Sequence, residues 1–230
     1  MGVMADALAI LLGGLFGSRL QKKAGSSYAA LGIGIMIISL VGFLENMFVV
    51  QGASISSEHL LVVLFAYLLG TKMGEWLKLE DRVSNLGKGE DATWNAITDA
   101  TLFFGVGGLQ ISGPLVWGIH GDSSQLLIKS LVDLPFAITF GAVYGKAVAW
   151  ASVPVAVTQL LIAGAAYGAA EFFSDALVMQ VCAMGYLLLF FSGFNLATDG
   201  KHKISNMNSL PGMVLVIGYH LLIGVVERIL

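Results

Sequence analysis

The chain has 230 residues, of which 57% are hydrophobic and 12% charged, and its net charge is −3 at neutral pH. A soluble domain carries about 25% charged residues, so composition places this chain in a lipid bilayer, which is its first partner. The weak negative charge excludes the basic footprint of a nucleic-acid binder, and no nucleic-acid partner is expected.

Twenty-nine glycines against four prolines suit helices that approach each other closely in lipid. The single cysteine, Cys182, can form neither an intrachain disulfide nor a thiolate metal cage. The start, MGVMAD, lacks the basic region of a signal peptide, and Asp6 stands where a myristoylation motif has Ser or Thr. The first helix is therefore expected to be retained.

A charge at the bilayer centre is costly and about 20 residues cross the hydrocarbon. Taken in order, the apolar segments are 3–20, 24–44, 59–79, 100–121, 124–146, 147–170, 176–198 and 204–226. The first, third and fifth carry a charge in or near the segment. This predicts an all-α polytopic membrane protein of about eight transmembrane helices.

Connections after the odd-numbered spans hold Arg19, Lys22, Lys23, Lys72, Lys78, Arg82, Lys88, Lys146, Lys201 and Lys203, whereas the opposite side holds only Arg228. Positive loops stay cytoplasmic, so both termini are expected outside the cytoplasm. The charged stretch 78–92 reads either as a docking loop or as a solvated connector whose charges neutralise each other.

Short similarities recur in order: Gly13-Gly-Leu-Phe-Gly17 matches Gly141-Ala-Val-Tyr-Gly145, and Gly70 with Ser84-Asn85 is echoed by Gly193 with Ser205-Asn206. They suggest two parallel four-helix repeats within a single membrane domain. Residues 1–92 would hold helices 1–3 and the charged loop, 93–123 a broken helix 4 with its outer loop, and 124–230 helices 5–8. The glycine-rich faces could pack within one chain or build a homo-oligomer.

In the fourth segment Gly105, Gly107, Gly108 and Pro114 concentrate helix breakers around Gln110 and Ser112. A broken helix aims backbone amides and carbonyls into a cavity, which would make Gln110 and Ser112 ligands. The other reading is a tight kink without a ligand.

The fifth segment places Lys129 about 7 Å and Asp133 about 14 Å along a helix starting near Ser124, on one face. Pro135 removes an amide and is expected to free the Leu131 carbonyl. An ammonium, a midplane carboxylate and an opened turn read as a substrate or ion site, or else as a pair that neutralises itself and fixes packing. Gln159, halfway along the sixth segment, needs a hydrogen-bond partner and joins this set. Asn195 is its outermost member. Like Asp6 it lies near a helix end, where capping or contact with water also explains it.

His59, His120, His202 and His220 are scattered without metal-ligand spacing, and Asp122 is expected to cap the helix that follows it. No catalytic motif is present. Neither an enzyme, a cofactor nor a metal is expected.

The segment 5–17 and the stretch from Gly118 through Gly121-Asp122 to Lys129-Ser-Leu-Val-Asp133 resemble the DUF554 family of bacterial membrane proteins over nearly the whole chain. The resemblance assigns the family's recurrent positions to Gly13, Gly14, Gly17, Gly121, Asp122, Lys129, Asp133, Gln159, Lys203, Asn206 and Pro211. Two departures are Asp6, where the family usually has Asn, and an Asn208-Ser209 insertion. The resemblance implies a multi-pass protein of the bacterial inner membrane with a transporter-like character, and it names no substrate. The resulting expectation is a transporter or channel for a small solute or ion. The alternative is a structural or accessory membrane protein.

Overall fold

The computed structural model describes residues 1–20, 29–51, 54–85, 92–105, 108–198 and 204–229. Among them the helices are α1 Gly2–Gly17, α2 Ala29–Met47, α3 Glu58–Leu77, α4 Leu79–Ser84, α5 Ala92–Gly105, α6 Gly108–His120, α7 Ser124–Tyr144, α8 Ser152–Gly168, α9 Asp175–Ala197 and α10 Pro211–Ile229. A short 3-10 segment, Gly145–Ala151, leads from α7 to α8, and a small antiparallel hairpin pairs Val49–Gln51 with Ser54–Ser56.

The chain chemistry sets several boundaries. Ser174 caps α9 by accepting the Leu177 N–H at 3.2 Å, and Asp175 adds an acid to the first turn. Pro211 opens α10, where its missing amide costs nothing. Lys78 ends α3 in the left-handed region at φ 52°, and Gly145 ends α7 at φ 78°, a conformation suited to glycine.

Among the described residues four helical runs are long and apolar enough to cross a membrane: Ala29–Met47, His59–Leu77, Ser124–Gly168 and Asp175–Ala197. A fifth arises if α5 and α6, bent by 61° across their break, count as one span. Part of the shortfall from eight segments has plain causes. At 16 residues α1 is about 24 Å long, short of a hydrocarbon core of about 30 Å, and α7 and α8 run on within one 45-residue stretch. Exposed Leu12, Phe16, Leu61, Leu69 and Leu161 suit helices surrounded by lipid.

The chain forms two compact units, and each draws helices from both halves of the sequence. The first comprises Met1–Ser27 and Asp81–Gly168, with α1, α5, α6, α7 and α8. Ile10, Ala100, Phe104, Ala137, Val148, Ala151 and Val155 fill its core, with Phe136 and Phe140 packed alongside. The second comprises Tyr28–Glu80 and Ala169–Leu230, with α2, α3, α9 and α10.

Glycine sets the spacing in both units. A Cβ on Gly13 would stand 2.7 Å from the Ala137 Cβ, and one on Gly17 or Gly141 would run into the Ile138 or Gly14 carbonyl. The two similar glycine motifs of the sequence thus lie on helices packed against one another. In the second unit a Cβ on Gly193 would stand 2.7 Å from the Gly32 carbonyl, and one on Gly70 would strike the Gly212 backbone. Such backbone contact is how small residues join helices in lipid, where apolar burial supplies no drive.

Candidate functional site

The first unit buries a connected polar cluster. Asp6 sits on α1, Gln110 on α6, Lys129 and Asp133 on α7, and Gln159 on α8. Four residues separate Lys129 from Asp133, which puts both on one helix face, and Lys129 Nζ donates to Asp133 Oδ2. Its second bond goes to Asp6 Oδ2 at 2.9 Å. Asp6 is 0% exposed, Lys129 5%, Asp133 7% and Gln159 0%.

The amides extend the cluster away from the charges. Gln159 Nε2 donates to Asp6 Oδ2 at 2.6 Å and to Gln110 Oε1 at 2.9 Å. Gln110 Nε2 donates to Thr158 Oγ1 at 2.8 Å and to the Val155 carbonyl at 3.3 Å. An amine between two carboxylates, with amides beyond, can hold a proton or a small cation, or the polar end of a solute that displaces Lys129.

Of the residues selected from sequence, Lys129, Asp133, Gln110 and Gln159 come together. Ser112 is buried apart from them in the same unit, donating to Gln125 Oε1 at 2.7 Å. Asn195 belongs to the second unit, where it clasps Ile204: Nδ2 donates to the Ile204 carbonyl and Oδ1 accepts the Ile204 N–H, both at 2.7 Å.

The breakers divide similarly. Gly105 and Gly108 flank the break between α5 and α6, and Gly107 lies outside the described residues. Pro114 and Pro135 sit inside continuous helices. Lys22, Lys23, Lys88, Lys201 and Lys203 also lie outside the described residues.

Sequence reasoning underrated Asp6. Counted from the start of α1 it lies only about 6 Å in, which reads as a helix end, yet α7 and α8 close over it. The signal available was an acid inside an apolar, glycine-rich segment. A second group was missed altogether. In the second unit Gln180, buried on α9, bridges His59 Nδ1 on α3 and His220 Nε2 on α10, each at 3.0 Å.

Asp122 does not cap α7 as expected: the N-cap is Ser123, without a side-chain cap bond, and Asp122 one residue earlier accepts the Ser124 N–H at 2.9 Å and the Ser124 hydroxyl at 2.6 Å, a turn leading into the helix. These two bonds hold its carboxyl below the usual carboxylate range. Among the described residues no group of three or more His, Cys, Asp or Glu side chains could hold a metal ion.

Helices of this length and apolarity, with an ion cluster enclosed in one unit, define a helical membrane protein. The sequence profile described as "Protein of unknown function (DUF554)" matches residues 1–221, and the chain belongs to that family. It is similar to the "Uncharacterized protein YqgA" of Escherichia coli (strain K12), with 27% identity over 241 residues and 94% of each chain covered. It is also similar to the "Uncharacterized membrane protein YdfK" of Bacillus subtilis (strain 168), with 23% identity and 93% of each chain covered. No solved structure matches.

Proposed function

We propose that this chain is a transporter or channel for a small solute or ion in the bacterial inner membrane, built from eight spans in two four-helix repeats with both termini outside the cytoplasm. The first unit's cluster is its ion-responsive site. One observation carries the reading: Lys129 bonds two buried carboxylates, Asp6 and Asp133. A pair that only neutralises itself needs one carboxylate. Two make the cluster anionic until a proton or cation joins it, and intramembrane ionisable groups usually mark a pathway.

Asp133, the more exposed of the two carboxylates, is where the ion or proton enters. Lys129 counters its charge or holds an anionic group of the solute, while Gln110 and Gln159 supply hydrogen bonds. The name of the Bacillus subtilis relative supports the membrane setting. Proteoliposomes carrying an internal pH dye and challenged with a panel of metabolites and salts test the proposal. A solute-dependent pH change is expected in the wild type and should vanish in Asp133→Asn. Persistence of the same change in that variant removes Asp133 from the mechanism.

The direct bond from Lys129 to Asp133 also favours a second reading, an accessory membrane protein whose charges serve packing alone. In that case no solute in the panel raises the melting temperature of the purified protein, while Lys129→Met still lowers it.

A further inference from the structure

The hydrogen-bond directions in the first unit fix the orientation of both buried amides. The Val155 carbonyl can only accept, and Thr158 Oγ1 donates its own hydrogen to that carbonyl at 2.8 Å. Gln110 must therefore turn Nε2 toward both of them, which leaves Oε1 facing Gln159. Gln159 must then turn Nε2 toward Gln110, and its second hydrogen goes to Asp6 Oδ2. Neither amide can flip without setting oxygen against oxygen.

Two buried oxygens in this cluster are left without a donor: Asp6 Oδ1 and Gln159 Oε1. They belong to side chains already joined at 2.6 Å through Oδ2 and Nε2. An unpartnered buried polar atom loses its hydration without replacement, so a pair of them on bonded neighbours requires a cause. The charges show a deficit of the same kind, with two carboxylates facing one ammonium.

We propose that one proton resides on Asp6 Oδ1 and is donated to Gln159 Oε1, so that Asp6 and Gln159 form a carboxylic acid–amide pair while Lys129 and Asp133 remain an ion pair. The proton comes from hydronium in bulk solution, which is left as water; an O–H bond forms at Asp6 and nothing else is made or broken. One particle removes both deficits. A metal cation fits less well, because the Lys129 ammonium already occupies the same carboxylate and hard cations such as Ca²⁺ take six or more oxygens.

Among the described residues the surroundings add no competing charge. Among the elements packed on α1, α7 brings Lys129 and Asp133 to Asp6. On α8 the one titratable residue is Tyr167, which is 78% exposed, and Lys146 in the 3-10 segment is exposed too.

This inference rests on the transport reading only in naming the coupling ion, and its test does not require transport. Infrared difference spectra of the purified protein between acid and alkaline buffer should contain the carbonyl stretch of a protonated carboxylic acid. The band is expected to be lost in Asp6→Asn, kept in Asp133→Asn, and moved to higher frequency in Gln159→Met, which removes the acceptor. Asp6→Asn is expected to fold, since Asn carries an N–H donor where the proton sits. Should it fail to fold, the Gln159→Met shift alone decides the assignment. Loss of the band in Asp133→Asn with its persistence in Asp6→Asn overturns the proposal, as does a carboxylate response to Na⁺ or K⁺ at constant pH in place of the acid band. An acid band without solute flux retires transport and leaves the site standing, whereas flux without the band does the reverse.

Discussion

The two units use one packing device and fill it with different chemistry. In each, glycines bring helix backbones together: Gly13, Gly17 and Gly141 in the first, and Gly32, Gly193, Gly70 and Gly212 in the second. Between those helices the first unit encloses a Lys129–Asp133 ion pair with a second acid, Asp6, bonded to it, while the second encloses an amide between two imidazoles, at Gln180, His59 and His220. Packing alone does not call for charge, since the second unit closes on a bridge of weakly basic groups. The charges of the first unit therefore need an explanation beyond architecture, and that difference is why function is assigned there.

Four substitutions sharpen or break this contrast. Lys129→Met leaves the Asp133 carboxylate buried without its cation and should cost about 3–5 kcal/mol, read as a large drop in melting temperature in detergent; adding Asp133→Asn should restore part of it. If Lys129→Met alone is neutral, the contrast between the units fails. Gly17→Val forces a branched side chain onto the Ile138 carbonyl and should cost about 3 kcal/mol, seen as loss of the monodisperse peak in size-exclusion chromatography.

Gln180→Leu removes both partners from the imidazoles and should cost about 1–3 kcal/mol, less than Lys129→Met in the same melting assay. Asp122→Asn should cost under about 1 kcal/mol, since Asp122 is largely exposed. Its effect has a signed pH dependence. The folded carboxyl titrates below its ordinary value, so its stabilisation is complete above about pH 4 and fades as pH falls through the lower folded value. Wild type and Asp122→Asn should thus differ in stability at neutral pH and converge in acid.

The sequence made the intrahelical part of the site readable and left its assembly across helices unread. Lys129 and Asp133 could be paired because helix geometry alone puts residues four apart on one face. Gln159 stood out as an amide deep in an apolar segment. Asp6 could not be matched to Lys129, because 123 residues separate them and their contact depends on which glycine faces choose each other. The same blindness hid the bridge from Gln180 to His59, 121 residues apart.

Helix breakers were readable to a similar depth. Gly105 and Gly108 do mark a break. Pro135 stays within α7, where Thr139 Oγ1 donates to the Pro135 carbonyl at 2.9 Å and the helix runs on. A proline shows which amide is missing, while the flanking turns decide whether the helix gives way.

Where Gly17 and Gly141 meet the neighbouring main chain, no side-chain rotamer lies between α1 and α7 to absorb a sliding motion. Those two helices must therefore travel as one stiff blade. Any rearrangement that parts Asp6 from Gln159 has to come from the α8 side.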